Sequence, residues 1–233
     1  MSRMLLELLR YIKYRRGTPT FSETGEDAVL WQIFRGEQGE YLDIGAQHPY
    51  LGSNTYSFYK AGWRGLAIEP QSDFNMPWKV FRYRDLLINK VVSRSETAIS
   101  FAKFSNSLIS TGNEEVVAKH ISRGLEPLYS QVETCQISEL IGRRITYLDP
   151  FFISIDVEGM ELDVLQTIDF EMHQPRAILL ETWRQPWQGK NQATKFLEET
   201  EMYELYAYTG LTSIYVHKSY LPKLRSLREF LAD

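Results

Sequence analysis

Two acidic residues, Asp43 and Glu69, each sit at the end of a short apolar run, and the first run breaks at Gly45. The stretches are Glu40-Tyr41-Leu42-Asp43-Ile44-Gly45-Ala46-Gln47-His48-Pro49 and Gly65-Leu66-Ala67-Ile68-Glu69-Pro70. Runs of this kind read as strands of an open α/β sheet, whose ligands bind outside the carboxyl ends of the strands. Two carboxylates delivered there suit a ligand with an amino group and ribose hydroxyls. S-adenosylmethionine is such a ligand. Asp43 is then expected beside the amino-acid moiety, and Glu69 on the ribose diol. Glycine at 45 lets the backbone pass close to the ligand with no Cβ in the way. Two later runs also end in acids, Asp156 after 151–155 and Glu181 after 176–180, and Glu158 follows Asp156 by two residues.

The elements that position these acids alternate between strand and helix. Ser22 and Glu26 open a helix over 27–35, which stops at Gly36. Strands are expected over 41–44, 65–68, 86–92, 151–155 and 176–180. Between the first two, Ser53-Asn54-Thr55 can cap a helix over 56–61 that ends at Gly62. Runs over 203–208 and 213–216 suggest a terminal antiparallel hairpin around Thr209-Gly210. The pattern predicts an α/β fold with a mostly parallel sheet. The stretch between the third and fourth strands is the least regular. Residues 97–104 can add a strand, and Ser105-Asn106-Ser107 and Ser110-Thr111-Gly112-Asn113 are turn material. An insertion at this edge of the sheet is expected to wall the substrate site, or else to be a plain surface excursion.

The termini divide the chain into three parts. Residues 1–20 form a basic amphipathic arm, with Met4, Leu5, Leu8, Leu9 and Ile12 at helical spacing among Arg3, Arg10, Lys13, Arg15 and Arg16. The arm is expected to pack on its own domain or on a second subunit of a homo-oligomer. Weak contact with an anionic membrane surface is the alternative. Residues 21–218 form the catalytic domain, and 219–233 its closing helix, with Leu221, Leu224, Leu227 and Leu231 in register. The net charge of −4 argues against a nucleic-acid partner. The single cysteine, Cys135, excludes an intramolecular disulfide framework and fits a reducing compartment. No apolar run reaches the roughly 20 residues that span a bilayer, so there is no transmembrane segment. We expect a cytoplasmic protein.

The ordered set Asp43-Ile44-Gly45-Ala46, Ser53-Asn54-Thr55, Gly62-Trp63-Arg64-Gly65, Ile68-Glu69-Pro70 and Ile155-Asp156-Val157-Glu158-Gly159 resembles the FkbM family of methyltransferases. Residues 134–140 resemble the threonine-and-leucine segment that precedes the fourth strand there. The resemblance covers roughly residues 24–183. It implies a class I, Rossmann-like fold and S-adenosylmethionine-dependent methyl transfer, usually to a hydroxyl of a sugar or natural product. A small-molecule acceptor of that kind, or a glycosylated intermediate, is the expected partner. The cofactor site carried over is Asp43, Gly45, Ala46, Ser53, Asn54, Thr55, Glu69, Pro70, Asn89, Val91 and Asp156. One departure is the loop after Gly45, where His48 and Pro49 stand in place of further glycines.

If the acceptor is a hydroxyl, its proton needs a base. Asp156 comes first, as a basic or positioning group. His48 comes second, with a suitable unperturbed pKa, and Glu158 third. Each also has a structural role open to it. Asp156 can hold an ammonium, Glu158 can cap the helix near Gly159-Met160, and His48 can bond a backbone carbonyl. Asp156 and Glu181, with Glu158 nearby, could hold Mg²⁺. We favour no metal, and a carboxylate paired with Arg176, Arg184 or a backbone amide. Asp85 is a weak adenine partner. Trp63, Trp183 and Trp187 are core or rim residues, the last two able to wall the acceptor site. Two other classes compete. A nicotinamide oxidoreductase would show G-x-G-x-x-G after the first strand, and this chain does not. A catalytically silent binding module would not need Asp43, Glu69 and Asp156 all intact.

Overall fold

A computed structural model describes residues 20–141, 151–182 and 191–224. Outside those residues lie the expected arm apart from Thr20, the positions Leu227 and Leu231, and Trp183, Arg184 and Trp187. In chain order the strands are β1 (Glu40–Ile44), β2 (Arg64–Ile68), β3 (Leu86–Ile88), β4 (Val91–Val92), β5 (Ile99–Lys103), β6 (Leu128–Val132), β7 (Thr134–Cys135), β8 (Phe151–Ile155), β9 (Ala177–Glu181), β10 (Tyr203–Tyr208) and β11 (Thr212–His217). The helices are α1 (Glu26–Phe34), α2 (Tyr56–Lys60), α3 (Asn75–Phe81), α4 (Glu114–Ser122), α5 (Ile137–Leu140), α6 (Glu161–Leu165) and α7 (Gln192–Glu199).

Seven strands form one sheet in the order β10-β11-β9-β8-β1-β2-β3. All neighbours run parallel except β11, which is antiparallel to both β9 and β10. The result is a Rossmann-like α/β fold. Strand alternation sorts the core. Leu42, Ile44, Ile153, Ile155, Ile178 and Leu180 face one helical layer, with Val164 and Leu165 of α6 and Leu197 of α7. Tyr41, Phe152, Ala177 and Leu179 face the other, with Leu30 and Phe34 of α1 and Phe58 of α2. Leu221 and Leu224 of the expected closing helix join that second layer. Such burial on both faces is what near-continuous apolar strands require. The chain progresses outward from β1 through β2 to β3, then returns to the other side of β1 as β8 and β9. The direction therefore switches between β1 and β8, and an open α/β sheet has its crevice at such a switch.

Three expectations need correction. The third strand is not continuous over 86–92. It breaks at Asn89, whose side-chain amide donates to the Glu69 carbonyl at 2.8 Å. The chain then leaves the sheet, and β4 pairs with β7 instead. Residues 53–55 do not cap α2 through a side chain. Their side chains turn inward, because Asp43 and Ser154 on neighbouring strands need partners. Asn54 donates to Ser154 at 3.0 Å, and Thr55 to Asp43 at 2.5 Å. At the start of α1, Gly25 in a left-handed conformation holds the N-cap, in place of Ser22. The Ser22 hydroxyl donates to the Asp27 carboxylate at 2.9 Å and also accepts from the first-turn Asp27 amide at 3.3 Å. The insertion after β4 supplies the antiparallel pair β5-β6 and helix α4, which Asn113 caps through the amides of Glu115 and Val116.

Arg82, 1 % exposed, ties the loop after β1 to the sheet. Its guanidinium donates to Asp85 at 2.7 Å, to the Tyr41 hydroxyl at 2.8 Å, and to Thr55 and the Pro49 carbonyl at 3.0 Å each. Tyr41 and the Gly65 amide also donate to Asp85. Asp85 is thus the counter-ion of a buried cation and not an adenine partner. Replacing Arg82 by Met keeps the bulk and strands Asp85 without its cation. We expect a loss of about 3–5 kcal/mol, read as a lower urea midpoint. A loss under about 1 kcal/mol would show that this network does not hold the loop in place.

Candidate active site

The crevice at the switch point is a cleft of two connected lobes, of about 470 and 830 Å³ including space open to solvent. Gly45, Gln47, Leu108, Asp156 and Glu158 line both lobes. The first lobe is largely apolar, walled by Ile68, Val91, Val92, Phe101 and Met160, with Glu69, Pro70 and Gln71 at its floor. The second gathers Glu23, Asp43, Asp156, Glu158 and Glu181, alongside Ala46, Ser53, Asn54 and Ser154. No lysine or arginine is among the described residues lining this second lobe. Asn106, Leu108, Ile109 and Ser110 come from the insertion, so it does wall the cleft.

Gly45 makes the close approach of β1 to β8. Its φ is +77°, and a Cβ there would lie 1.7 Å from the Asp156 carbonyl oxygen. The clash that demands glycine is therefore with the end of β8, where we had expected the ligand. Gly45 and Ala46 then donate to the Ile68 carbonyl at 2.9 and 3.2 Å, so the turn is pinned to β2 as well.

Glu69 is 2 % exposed, and each carboxylate oxygen accepts one backbone amide, Gln71 at 2.8 Å and Gln47 at 3.0 Å. Burial pushes this carboxyl up to about 7, against the lowering effect of those two amides. The amides fix the carboxylate plane, and an ionised carboxylate retains further acceptor sites. Asp43 is also raised by burial, with Arg82 and the Thr55 hydroxyl drawing it back. Thr55 is wholly buried and acts on the site only by holding Asp43.

Asp156, Glu158 and Glu181 converge, each offering an oxygen within 4.8 Å of the others. Asp156 opens onto the cleft but is surrounded by protein, and burial raises its carboxyl, with the Glu181 contact lowering it. Glu181 is raised further, by burial and then by the charges of Asp156 and Glu158. Glu158 reaches about 8 through burial and the charges of Asp156, Glu161 and Glu23. These carboxylates cannot all ionise without a compensating positive charge. Glu158 does not cap α6. No side chain caps that helix, Glu161 accepts from the Gly159 amide at 2.9 Å ahead of it, and Glu158 holds φ +53°.

Other expected residues are placed elsewhere. His48 does not line either lobe. Its Nδ1 accepts from the Tyr50 and Leu51 amides at 3.4 and 3.2 Å, and burial lowers its pKa. Asn89 holds the Glu69 backbone and faces the outer side of α3. Trp63 is core. Arg176 does not pair with Glu181. It sits before β9, at the opposite end of that strand, and pairs with Glu37 at 2.6 Å. Sequence reasoning missed Arg82, Glu23, Gln71 and the apolar wall of Phe101, Leu108 and Met160. Nothing local in Phe81-Arg82-Tyr83-Arg84 distinguishes a buried cation from a surface one.

The described residues include no helix long and apolar enough to cross a membrane. Searches of curated proteins and of solved structures find no significant match. The methyltransferase FkbM domain matches residues 43–209, which runs from Asp43 past Glu181 and takes in the lining of both lobes except Glu23 and Leu211. The chain belongs to the FkbM methyltransferase family.

Proposed function

We propose that the protein is an S-adenosylmethionine-dependent methyltransferase that acts on a hydroxyl of a small polyhydroxylated acceptor, a sugar or natural product. The observation that carries this is the polarity of the cleft. One lobe is apolar, Glu69 stands at its floor, and the other lobe holds five carboxylates with no described lysine or arginine. A ligand that fits has a flat apolar end, a diol, and positive charge at its far end. S-adenosylmethionine would supply a methyl group already activated on a sulfonium.

This chain's residues then have three tasks. Val91, Val92 and Phe101 take the heterocycle, with Pro70 beside Glu69. Glu69, held by two amides, accepts from the ribose hydroxyls. Asp43, braced by Thr55, faces the amino-acid end, with Ala46, Ser53 and Asn54 lining the same lobe. Asp156 stands at the junction of the lobes, within reach of an acceptor in the second, and takes the hydroxyl proton on a carboxylate oxygen. Its raised pKa suits a group that gains a proton near neutrality. The acidity of the second lobe also disfavours a pyrophosphate, which sets the nicotinamide reading aside. A silent binding module remains the competing class, and a turnover assay with methyl-labelled S-adenosylmethionine and a panel of sugars decides it.

Glu69→Ala removes two charge-assisted hydrogen bonds of roughly 1.5–3 kcal/mol each. Calorimetry should show S-adenosylmethionine bound at least about tenfold more weakly, with NAD unbound by wild type and variant alike. Equal affinity in both proteins would remove Glu69 from the ribose site.

Asp156→Asn keeps shape and loses the base. We expect kcat to fall by about 10²-fold or more, with cofactor affinity nearly unchanged. His48→Ala should change kcat by less than about tenfold, because its ring serves its own loop. The reverse pattern in single-turnover rates would transfer the proton to His48.

A further inference from the structure

We infer that Asp156, Glu158 and Glu181 form a binding site for one hard divalent cation of the Mg²⁺ or Mn²⁺ class, at the acceptor end of the cleft. The three side chains present oxygens within 4.8 Å of one another. Metal–oxygen distances of about 2.1 Å for Mg²⁺ and up to about 2.6 Å for Ca²⁺ span ligands up to about 4.2 and 5.2 Å apart, so the carboxylates need close in by only a few tenths of an ångström to hold the smaller ion. All three donors are oxygens, which suits hard cations and disfavours those that select thiolate or imidazole.

A second observation points to a missing partner. Glu181 is 8 % exposed, and its buried Oε2 accepts no hydrogen bond from a donor among the described residues, its acidic neighbour Asp156 aside. Leaving a buried carboxylate oxygen unsatisfied is costly. Of the cations expected for it from the sequence, Arg176 pairs with Glu37 at the far end of β9, and Arg184 lies outside the described residues. Glu23 adds a further carboxylate to the same lobe. Asp43 already has the buried Arg82 network behind it and faces the cofactor's amino-acid end, so it does not compete for the ion.

The site is also built in advance. The Asp156 amide donates to the Ile44 carbonyl at 3.0 Å, which locks the end of β8 to β1. Thr111 donates to the Glu158 carbonyl at 2.9 Å, and Asn113 to the Gly159 carbonyl at 2.7 Å. These bonds hold Glu158 at φ +53°, a conformation that a non-glycine residue adopts only when its surroundings impose it. One oxygen of each carboxylate is enough to ligate, and an ion there would lower the proton affinity of Asp156 and the pKa of an acceptor hydroxyl bound to it together. Water or acceptor hydroxyls would fill the remaining positions. The acceptor hydroxyls and the cofactor end assigned to Asp43 rest on the methyltransferase reading, whereas the ion site does not.

The test is a Mn²⁺ titration of the full chain, stripped with EDTA and followed by electron paramagnetic resonance. We expect about one ion per chain, displaced by excess Mg²⁺. Glu181→Gln and Glu158→Gln should each weaken binding at least about tenfold, because even outer partners of metal ligands contribute 10–100-fold. Without metal, each variant should unfold at the same urea concentration as wild type or a higher one, since an acid that resists ionisation there is replaced by a neutral amide of the same shape. A merely structural carboxylate would lower that midpoint. If one variant fails to fold, the other decides. Wild type that binds no Mn²⁺, or binds it as well as both variants do, overturns the site and leaves a shared proton in its place. Calorimetry with S-adenosylmethionine in EDTA separates the two readings. Cofactor binding without Mn²⁺ binding sinks the metal alone, and Mn²⁺ binding without cofactor binding sinks the proposed cofactor alone.

Discussion

The backbone contact between Gly45 and Asp156 is the constraint from which the site follows. The ends of β1 and β8 approach so closely that a Cβ at 45 would meet the Asp156 carbonyl oxygen at 1.7 Å. Only glycine at φ +77° permits this, and glycine carries little penalty there. The approach occurs where the strand order reverses, so it sets the depth of the crevice. It also brings the acids at the two strand ends into one space.

That convergence has an electrostatic cost. Buried carboxylates near one another resist ionisation, and Glu69, Asp43, Asp156, Glu158 and Glu181 are all raised above their ordinary range. The protein offsets this unevenly. Asp43 gains the Thr55 hydroxyl and, behind it, the Arg82 guanidinium. Glu69 gains two backbone amides. Asp156, Glu158 and Glu181 have no described basic side chain among the residues lining the second lobe, and Lys90 of the first lobe pairs with Glu133 at 3.0 Å. The same imbalance would hold a sulfonium near an acceptor and raise the proton affinity of the group beside it.

Much of this was legible in the sequence. Strands that end in Asp43, Glu69, Asp156 and Glu181 announce themselves as apolar runs, because a central parallel strand is buried on both faces. The terminal hairpin was legible from its Thr209-Gly210 turn. Local pattern failed where long-range contacts decide. Residues 86–92 look like one strand, yet Asn89 spends its side chain on the Glu69 backbone and ends the pairing. Ser53-Asn54-Thr55 has the composition of a cap, but two buried polar groups on the sheet claim its side chains. Arg82 carries no local mark of burial, since its partners come from β1, from the loop before α2, and from Asp85. Glu158 gives no sign of its left-handed backbone, which contacts from 111 and 113 impose. His48 drew attention by its side-chain chemistry alone, and the fold turns that chemistry toward its own loop.

The most direct test of the bipartite cleft is a crystal structure with S-adenosylhomocysteine. The adenine should lie between Val91, Val92 and Phe101, both ribose hydroxyls should reach the Glu69 carboxylate, and the amino-acid end should point toward Asp43. Density for the ligand with its ribose away from Glu69, or with its adenine in the acidic lobe, would contradict the assignment.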